Sequence, residues 1–495
     1  MPTRIIDVGP EGGMVVSLSE RNGKATVAPY IALSHCWGKI RPFVLTQVTL
    51  GRLKAGIPVT DLPKTFQDAI LVARKLQIQY LWVDSLCIFQ DSLEDWQKEA
   101  ACMRQVYSQA VCCIAATAAE NGDIGLFFDR DPRALVPIQV DLYWKFKSGA
   151  YWCSCEPVNT ITAIDAAPLN SRAWVAQERY LSMGIVHFAR EMVYWDCHEC
   201  FAPETHPQGE RYDQYELGSH NTLSGLGDSR SKVLKSLINR ARLLKASATH
   251  QAANMDPSLQ PSNLYYTWND FIQYYSHSNL TKEGDILVAL NGVAQDVASI
   301  VDDVLVAGLW KGQLLAQMYW HCDTNAKPRA WLSSWRAPSW SWASVNRPVL
   351  FYTGYGSSPI SYMAEIQSLS VEQRSSGELV HASVSIKCRL IPFAWLKEGH
   401  SLDLPPYRVS PIFDDCDFCP STKGESLARD LSLIILQGTD DDEFTSYGIV
   451  VAPSKSRAGS YERVGAFENF NADLASKIKL VDAYITTEYT IIELA

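Results

Sequence analysis

The stretch Leu81 to Glu99, LWVDSLCIFQDSLEDWQKE, carries two carboxylates in unlike settings. Asp84 ends an apolar run of the kind that forms a buried strand. Glu99 falls on a helix where Trp96, Met103, Val106, Tyr107 and Ala110 recur at helical spacing, so it lies inside the apolar stripe. Burying an ionised carboxylate without partners is strongly unfavourable. Glu99 is therefore either held in a structural ion pair or kept for charge-stabilising or acid–base work. A second chemistry is open nearby. His35, Cys36 and Cys87 could supply a Cys–His nucleophile with Asp84 orienting the histidine. Neighbours on an extended strand point to opposite faces, so His35 and Cys36 cannot pair directly, whereas Cys87 with His35 is geometrically freer.

The elements that must position these groups are legible as an alternation. Tyr30 to Cys36 (YIALSHC) reads as a strand, and Leu62 to Leu76 as a helix with Pro63 in its first turn. Tyr80 to Cys87 is a second strand, Asp95 to Ala110 the glutamate-bearing helix, and Val111 to Ala116 a third strand. This order predicts a parallel sheet, with ligands bound in the crevice beyond the carboxyl ends of the strands. His35 and Cys36 end one strand, Asp84 to Cys87 end the next, and Glu99 starts near the same edge. Ser92 or Asp95 caps the helix, which leaves Glu99 near its positive end. A further cluster, NSRAWVAQERYLS (Asn170 to Ser182), reads as a helix capped by Asn170 or Ser171. Trp174 and Leu181 mark its buried side, with Gln177 and Glu178 between them. Arg172 and Glu178 either form ion pairs or bring polar groups to the first crevice.

Composition narrows the function classes. The chain has 495 residues, 47% of them hydrophobic, enough for several packed domains. A net charge of −10 and the lack of a Lys/Arg-rich run argue against nucleic-acid binding. No apolar run approaches the roughly 18 residues of a membrane span, and the start, MPTRIIDVGPEGG, lacks a signal-peptide pattern, so the expectation is a cytoplasmic protein away from membranes. Its 13 cysteines read as reduced thiols. Two CxxC pairs occur, Cys197 with Cys200 and Cys416 with Cys419, with His198 inside the first. They are far apart, and the local zinc-ribbon spacing is absent, so no metal site is assigned.

Farther on, Pro207 to Gln260 turns polar and loop-like, with Gly218, Gly225 and Gly227, before and after a helix around Lys232 to Lys245. Tyr265 to Val304 and Leu309 to Trp320 read as helical. In RAPSWSWAS, Arg336 to Ser344, Trp340 and Trp342 alternate as a strand would present them. Short alternating runs such as VHASVSIKCRL and SLIILQG then predict a β-rich end. The expected layout is a lead-in at 1–24, an α/β domain at 25–185, a mainly helical region at 186–335 and a β-rich domain at 336–495.

The blocks YIALSHCWG, LPKTFQDAI, YLWVDSLCI, DWQKEAACMRQVYSQA and SRAWVAQERYLS together resemble the fungal heterokaryon-incompatibility, or HET, domain family. LTKEGDILVALNGVA and APSWSWASV look like pieces that follow this domain in stand-alone members. The resemblance implies a role in fungal nonself recognition and cell death, with some relatives standing beside secondary-metabolite genes. The domain is also similar, more distantly, to TIR domains, some of which cleave NAD using a glutamate in a Trp-x-x-Glu context that Trp96 and Glu99 match. That implies a TIR-like α/β core and NAD or a related nucleotide as substrate, with no resident cofactor. Cleavage of the N-glycosidic bond passes through an oxocarbenium-like state that a carboxylate stabilises. Glu99 would hold the ribose, and Asp84 would assist or position water. Arg172 would meet a phosphate and Trp37 stack on a base. Ser34, Cys36, Trp96, Gln177 and Glu178 complete the expected ligand contacts. The alternatives are an enzyme or accessory protein of secondary metabolism using the same pocket, or a non-catalytic module that binds a protein partner or itself.

Overall fold

The computed structural model describes residues 2–20, 28–38, 43–131, 138–144, 147–153, 161–211, 230–246, 261–323, 325–326, 332, 334–351, 360–374, 376–392, 410–413, 431–439, 445–468 and 474–495. They form two compact units, Met1–Gln260 with Ser278–Leu280, and Pro261–His277 with Thr281–Ala495. The division falls near 260, not at 185 and 335. Cys416 and Cys419, and the glycines at 218, 225 and 227, lie outside the described residues.

In chain order the first unit runs β1 (Arg4–Asp7), β2 (Val15–Glu20), β3 (Tyr30–Ser34), α1 (Leu50–Ala55), β4 (Ile57–Pro58), α2 (Lys64–Lys75) and β5 (Tyr80–Val83). It continues with α3 (Asp84–Cys87), α4 (Leu93–Ser108), β6 (Cys113–Ala115), β7 (Ile138–Trp144), β8 (Lys147–Cys153), α5 (Ala173–Leu181), β9 (Gly184–Phe188), β10 (Val193–Cys197), β11 (Cys200–Pro203), β12 (Glu210–Arg211) and α6 (Arg230–Ala246). One large mixed sheet has the order β12-β11-β10-β9-β6-β3-β5-β1-β2-β4. Its centre, β9-β6-β3-β5, is parallel, while β1 joins β5 and β10 joins β9 antiparallel. The expected parallel sheet is thus the middle of a larger mixed one. All five residues of β3 are buried, as a parallel strand covered on both faces requires.

Several boundaries differ from the sequence reading. Arg4–Asp7 and Val15–Glu20 are no lead-in, since Ile6 pairs with Leu81 and Arg4 with Glu20 within the core sheet. The second strand stops at Val83, and Asp84 opens a single helical turn. β10 and β11 extend the first sheet in a region expected to be mainly helical. Ser92 is the cap of α4, its hydroxyl accepting from Asp95 N–H at 3.2 Å. Neither Asn170 nor Ser171 caps α5; they sit in a 3-10 turn, Pro168–Ser171, and the cap position is Arg172.

The second unit has helices Pro261–Ser276 and Asn291–Val301 and a nine-stranded sheet that includes Leu379–Arg389, Ser432–Thr439 and Tyr489–Leu494. The β-rich end is therefore present, its core made by Leu433, Ile435, Val450, Val464 and Phe467 with Leu480 from the helix Leu474–Thr486. Leu309 to Trp320 is not one helix; it breaks into the strand Leu309–Trp310, a 3-10 turn and the short helix Leu314–Gln317. Trp340 and Trp342 are not in a strand. Both are buried, Trp342 opens a 3-10 turn, and its indole donates to Gly308 O at 2.9 Å. Their alternation reflects a knot of polar anchors in which Arg336 donates to Ala343 O and Val345 O. Glu283–Val301 is long and apolar enough to cross a membrane, but it consists of 3-10 turns followed by an 11-residue α-helix and is more than half buried. Core helices of this kind pass the same test.

Candidate functional site

The four parallel strands come in the chain order 30–34, 80–83, 113–115 and 184–188, yet the first lies between the second and third. The direction of winding reverses beside β3, and such a switch point opens a crevice at the carboxyl ends of the strands. Ser34, His35, Cys36 and Trp37 leave β3 there. Asp84 leaves β5 there as well. Gly38, with φ +75°, turns the chain away, and a Cβ at this position would stand 2.5 Å from that of Asn121. Only glycine fits such a backbone approach without strain.

Asp84 is the centre of this edge. Its carboxylate accepts Ser85 N–H at 2.6 Å and the Trp37 indole N–H at 2.9 Å. His35 Nδ1 lies 3.6 Å away, too far for a hydrogen bond. The Asp84 side chain keeps 21% of its surface exposed, while that of His35 is buried against Phe66 edge-on at 4.9 Å. Burial lowers the His35 pKa to about 4, Asp84 opposing this and Arg172 adding to it, so the imidazole is neutral at pH 7.

α5 brings a second set of groups to the same edge. The Arg172 guanidinium donates to His35 O. Its backbone is fixed by Asn279 of the 278–280 segment, whose N–H donates to Ser171 O and whose carbonyl accepts from Ala173 N–H. Gln177 and Glu178 are both buried. Burial raises the Glu178 pKa, while Arg172, the Ser34 hydroxyl and the Tyr107 phenol favour its charged form and Asp84 disfavours it. Ser34, His35, Asp84, Arg172 and Glu178 are thus electrostatically one cluster, with Cys36 and Trp37 at its rim. Tyr107, read from the sequence only as a stripe residue, also belongs to it; burial and Glu178 hold its phenol protonated.

Glu99 does not open onto this edge. It is 1% exposed, and Oε1 lies 3.7 Å from Arg4 Nη2. Arg4 is itself fixed by Asp95 Oδ1 at 2.6 Å, by Cys87 O at 2.7 Å and by the Phe89 ring 4.6 Å below it. This is the structural ion pair, one of the two settings the stripe allowed. Arg4 was missed by the sequence reading; the apolar run RIIDV that carries it is short, and its strand character was the available signal. Trp96 meets Trp174 edge-on at 6.3 Å, which joins α4 to α5.

The thiols do not suit a nucleophile. Burial raises the Cys87 pKa to about 12 and also raises that of Cys36. With His35 a neutral, weak base, neither cysteine has a partner that would generate the thiolate. Among the described residues no group of three or more His, Cys, Asp or Glu is placed to hold a metal ion.

No curated protein and no solved structure matches the chain. The family comparison gives a match over residues 30–178, which begins at β3, takes in Asp84, Glu99 and Arg172 and ends on Glu178. The matching family is described as heterokaryon incompatibility protein (HET), and it is to this family that residues 30–178 are similar.

Proposed function

We propose that the chain is an effector of the heterokaryon-incompatibility type. In this reading its HET domain binds a nucleotide such as NAD at the carboxyl ends of β3 and β5 and cleaves the N-glycosidic bond, with Asp84 as the carboxylate beside the breaking bond. The observation that carries this reading is the setting of Asp84: a carboxylate held in one orientation by Trp37 and Ser85, yet partly exposed at a switch point. The electron pair of the breaking bond leaves with nicotinamide and neutralises its ring. Asp84 stabilises the oxocarbenium-like ribose, and water then adds to the anomeric carbon and gives up a proton to solvent. Arg172 supplies charge for a phosphate, and Trp37 supplies a ring edge or face for a base. Glu99, matched to TIR enzymes by its Trp-x-x-Glu context, serves here through Arg4, which ties the turn at Cys87 to α4.

The test is nicotinamide release from NAD by the purified protein beside Asp84→Asn and Glu99→Gln, with circular dichroism on each. Release by the parent, its loss in folded Asp84→Asn and its retention in Glu99→Gln are expected. Loss in Glu99→Gln with retention in Asp84→Asn would return the role to Glu99. A second reading, a non-catalytic interaction module, is favoured by the burial of Glu99 against Arg4. Concentrated, folded parent that releases no nicotinamide would establish it over NAD cleavage.

A further inference from the structure

Cys197 and Cys200 face each other across the two-residue turn that joins β10 to β11. The ladder pairs Tyr194 with Pro203, Trp195 with Ala202 and Asp196 with Phe201, so the two cysteines are the next opposed pair. Opposed residues of an antiparallel pair have Cα atoms about 4.5–5.5 Å apart, within the roughly 4.4–6.8 Å that a disulfide spans. The sulfurs are 3.9 Å apart, and the Cys197 thiol points along the same line, toward Cys200 O at 3.6 Å. A disulfide, with its S–S length of about 2.05 Å, would need the sulfurs to approach by about 2 Å. Both residues are partly exposed, whereas Cys36, Cys87, Cys112, Cys113, Cys322 and Cys388 are buried.

We propose that Cys197 and Cys200 form a reversible dithiol–disulfide site, oxidised by a low-molecular-weight disulfide of the glutathione class and reduced by the corresponding thiol. One thiolate attacks the glutathione disulfide, making a mixed disulfide and releasing one glutathione thiolate. The second cysteine thiolate then attacks the protein sulfur of that mixed disulfide. The Cys197–Cys200 bond forms, the second glutathione thiolate leaves, and the two protons lost by the protein end on the two glutathiones. The protein is oxidised by two electrons and the glutathione disulfide is reduced by two. The short turn places the second thiol beside the first, so ring closure outruns release of the mixed disulfide. Burial and the neighbouring Cys197 hold the Cys200 thiol up, so exchange quickens toward alkaline pH. This site is independent of the nucleotide chemistry proposed for the sheet edge.

The experiment equilibrates the full chain in buffers of rising glutathione disulfide to glutathione ratio, traps free thiols by alkylation and maps peptides by mass spectrometry. Alkylation at Cys197 and Cys200 is expected to disappear together, with the peptide lighter by two hydrogens, and to return on adding excess thiol. Cys197→Ser and Cys200→Ser are each expected to carry one glutathione on the remaining cysteine instead. Alkylation of both positions in the most oxidising buffer would overturn the proposal. So would pairing of either cysteine with a different one, or protection in the reduced protein that a chelator removes, which would make the pair a metal site.

Discussion

His35 stands beside a carboxylate and is nevertheless neutral near pH 7, because burial outweighs the attraction of Asp84 and the Arg172 charge adds to it. A base whose folded pKa lies below its unfolded one binds its proton more weakly when folded, so stability is lost as pH falls from 6.5 through about 4. That interval corresponds to about 3 kcal/mol as an upper figure. His198, half-exposed and also lowered to about 4, acts in the same direction with more solvent screening. Glu178 has the opposite sign. Its raised folded pKa contributes stability below its usual 4.5 that is lost as pH rises through the folded value. His35→Asn is therefore expected to flatten the acid limb of stability between pH 6.5 and 4, measured by urea unfolding at stepped pH. An unchanged slope would mean that the imidazole is charged in the fold. The carboxylates at this scale were partly legible. Glu99 was marked as anomalous by its place in an apolar stripe, but its partner Arg4 lies 95 positions earlier, and periodicity within one element says nothing of a partner on another.

At the scale of elements, the joint after β3 decides where Trp37 and His35 lie. Gly38→Ala would force a side chain into a left-handed backbone and into Asn121, so a loss of at least about 1–2 kcal/mol is expected, read from the urea midpoint. Thermal or urea unfolding unchanged by this substitution would show that the joint relaxes freely. Strands β3, β5 and β6 and helices α2 and α4 were readable because buried parallel strands are short apolar runs and the helices keep one apolar face. The end of β5 was not. VDSLCI stays apolar through the point where the backbone turns helical, and the signal was the Asp itself, a residue that accepts its neighbour's N–H and opens a turn. Trp340 and Trp342 misled for the reverse reason: alternation over a few residues mimics a strand, whereas here the Trp342 indole donates to Gly308 O, the Trp340 carbonyl accepts from the Trp320 indole, and Arg336 ties down the Ala343 and Val345 carbonyls.

At the scale of the whole molecule, the first 20 residues belong to the core of their unit. Removing residues 1–20 exposes the edge of β5 and takes Arg4 from the Asp95 and Glu99 carboxylates, and breaking a buried charge cluster costs about 3–5 kcal/mol. The shortened chain is expected to lose the cooperative unfolding transition of this unit, checked by circular dichroism and limited proteolysis. A shortened chain as protease-resistant as the parent would show β1 and β2 to be dispensable. The composition had indicated a large, acidic, well-packed protein, but the pairing of Ile6 with Leu81 and of Cys113 with Ile185 is a property of the sheet that no local pattern records. The strand order has a further consequence for birth of the chain on the ribosome. β3, made early, is the middle of the sheet, and its two neighbours β5 and β6 emerge only as synthesis passes residues 83 and 115, with β9, which pairs β6, following at 188. Until residue 83 is made this fully buried strand has both edges unpaired, and until residue 115 it still has one, so a segment destined for the centre of the sheet is exposed to misassociation early in synthesis.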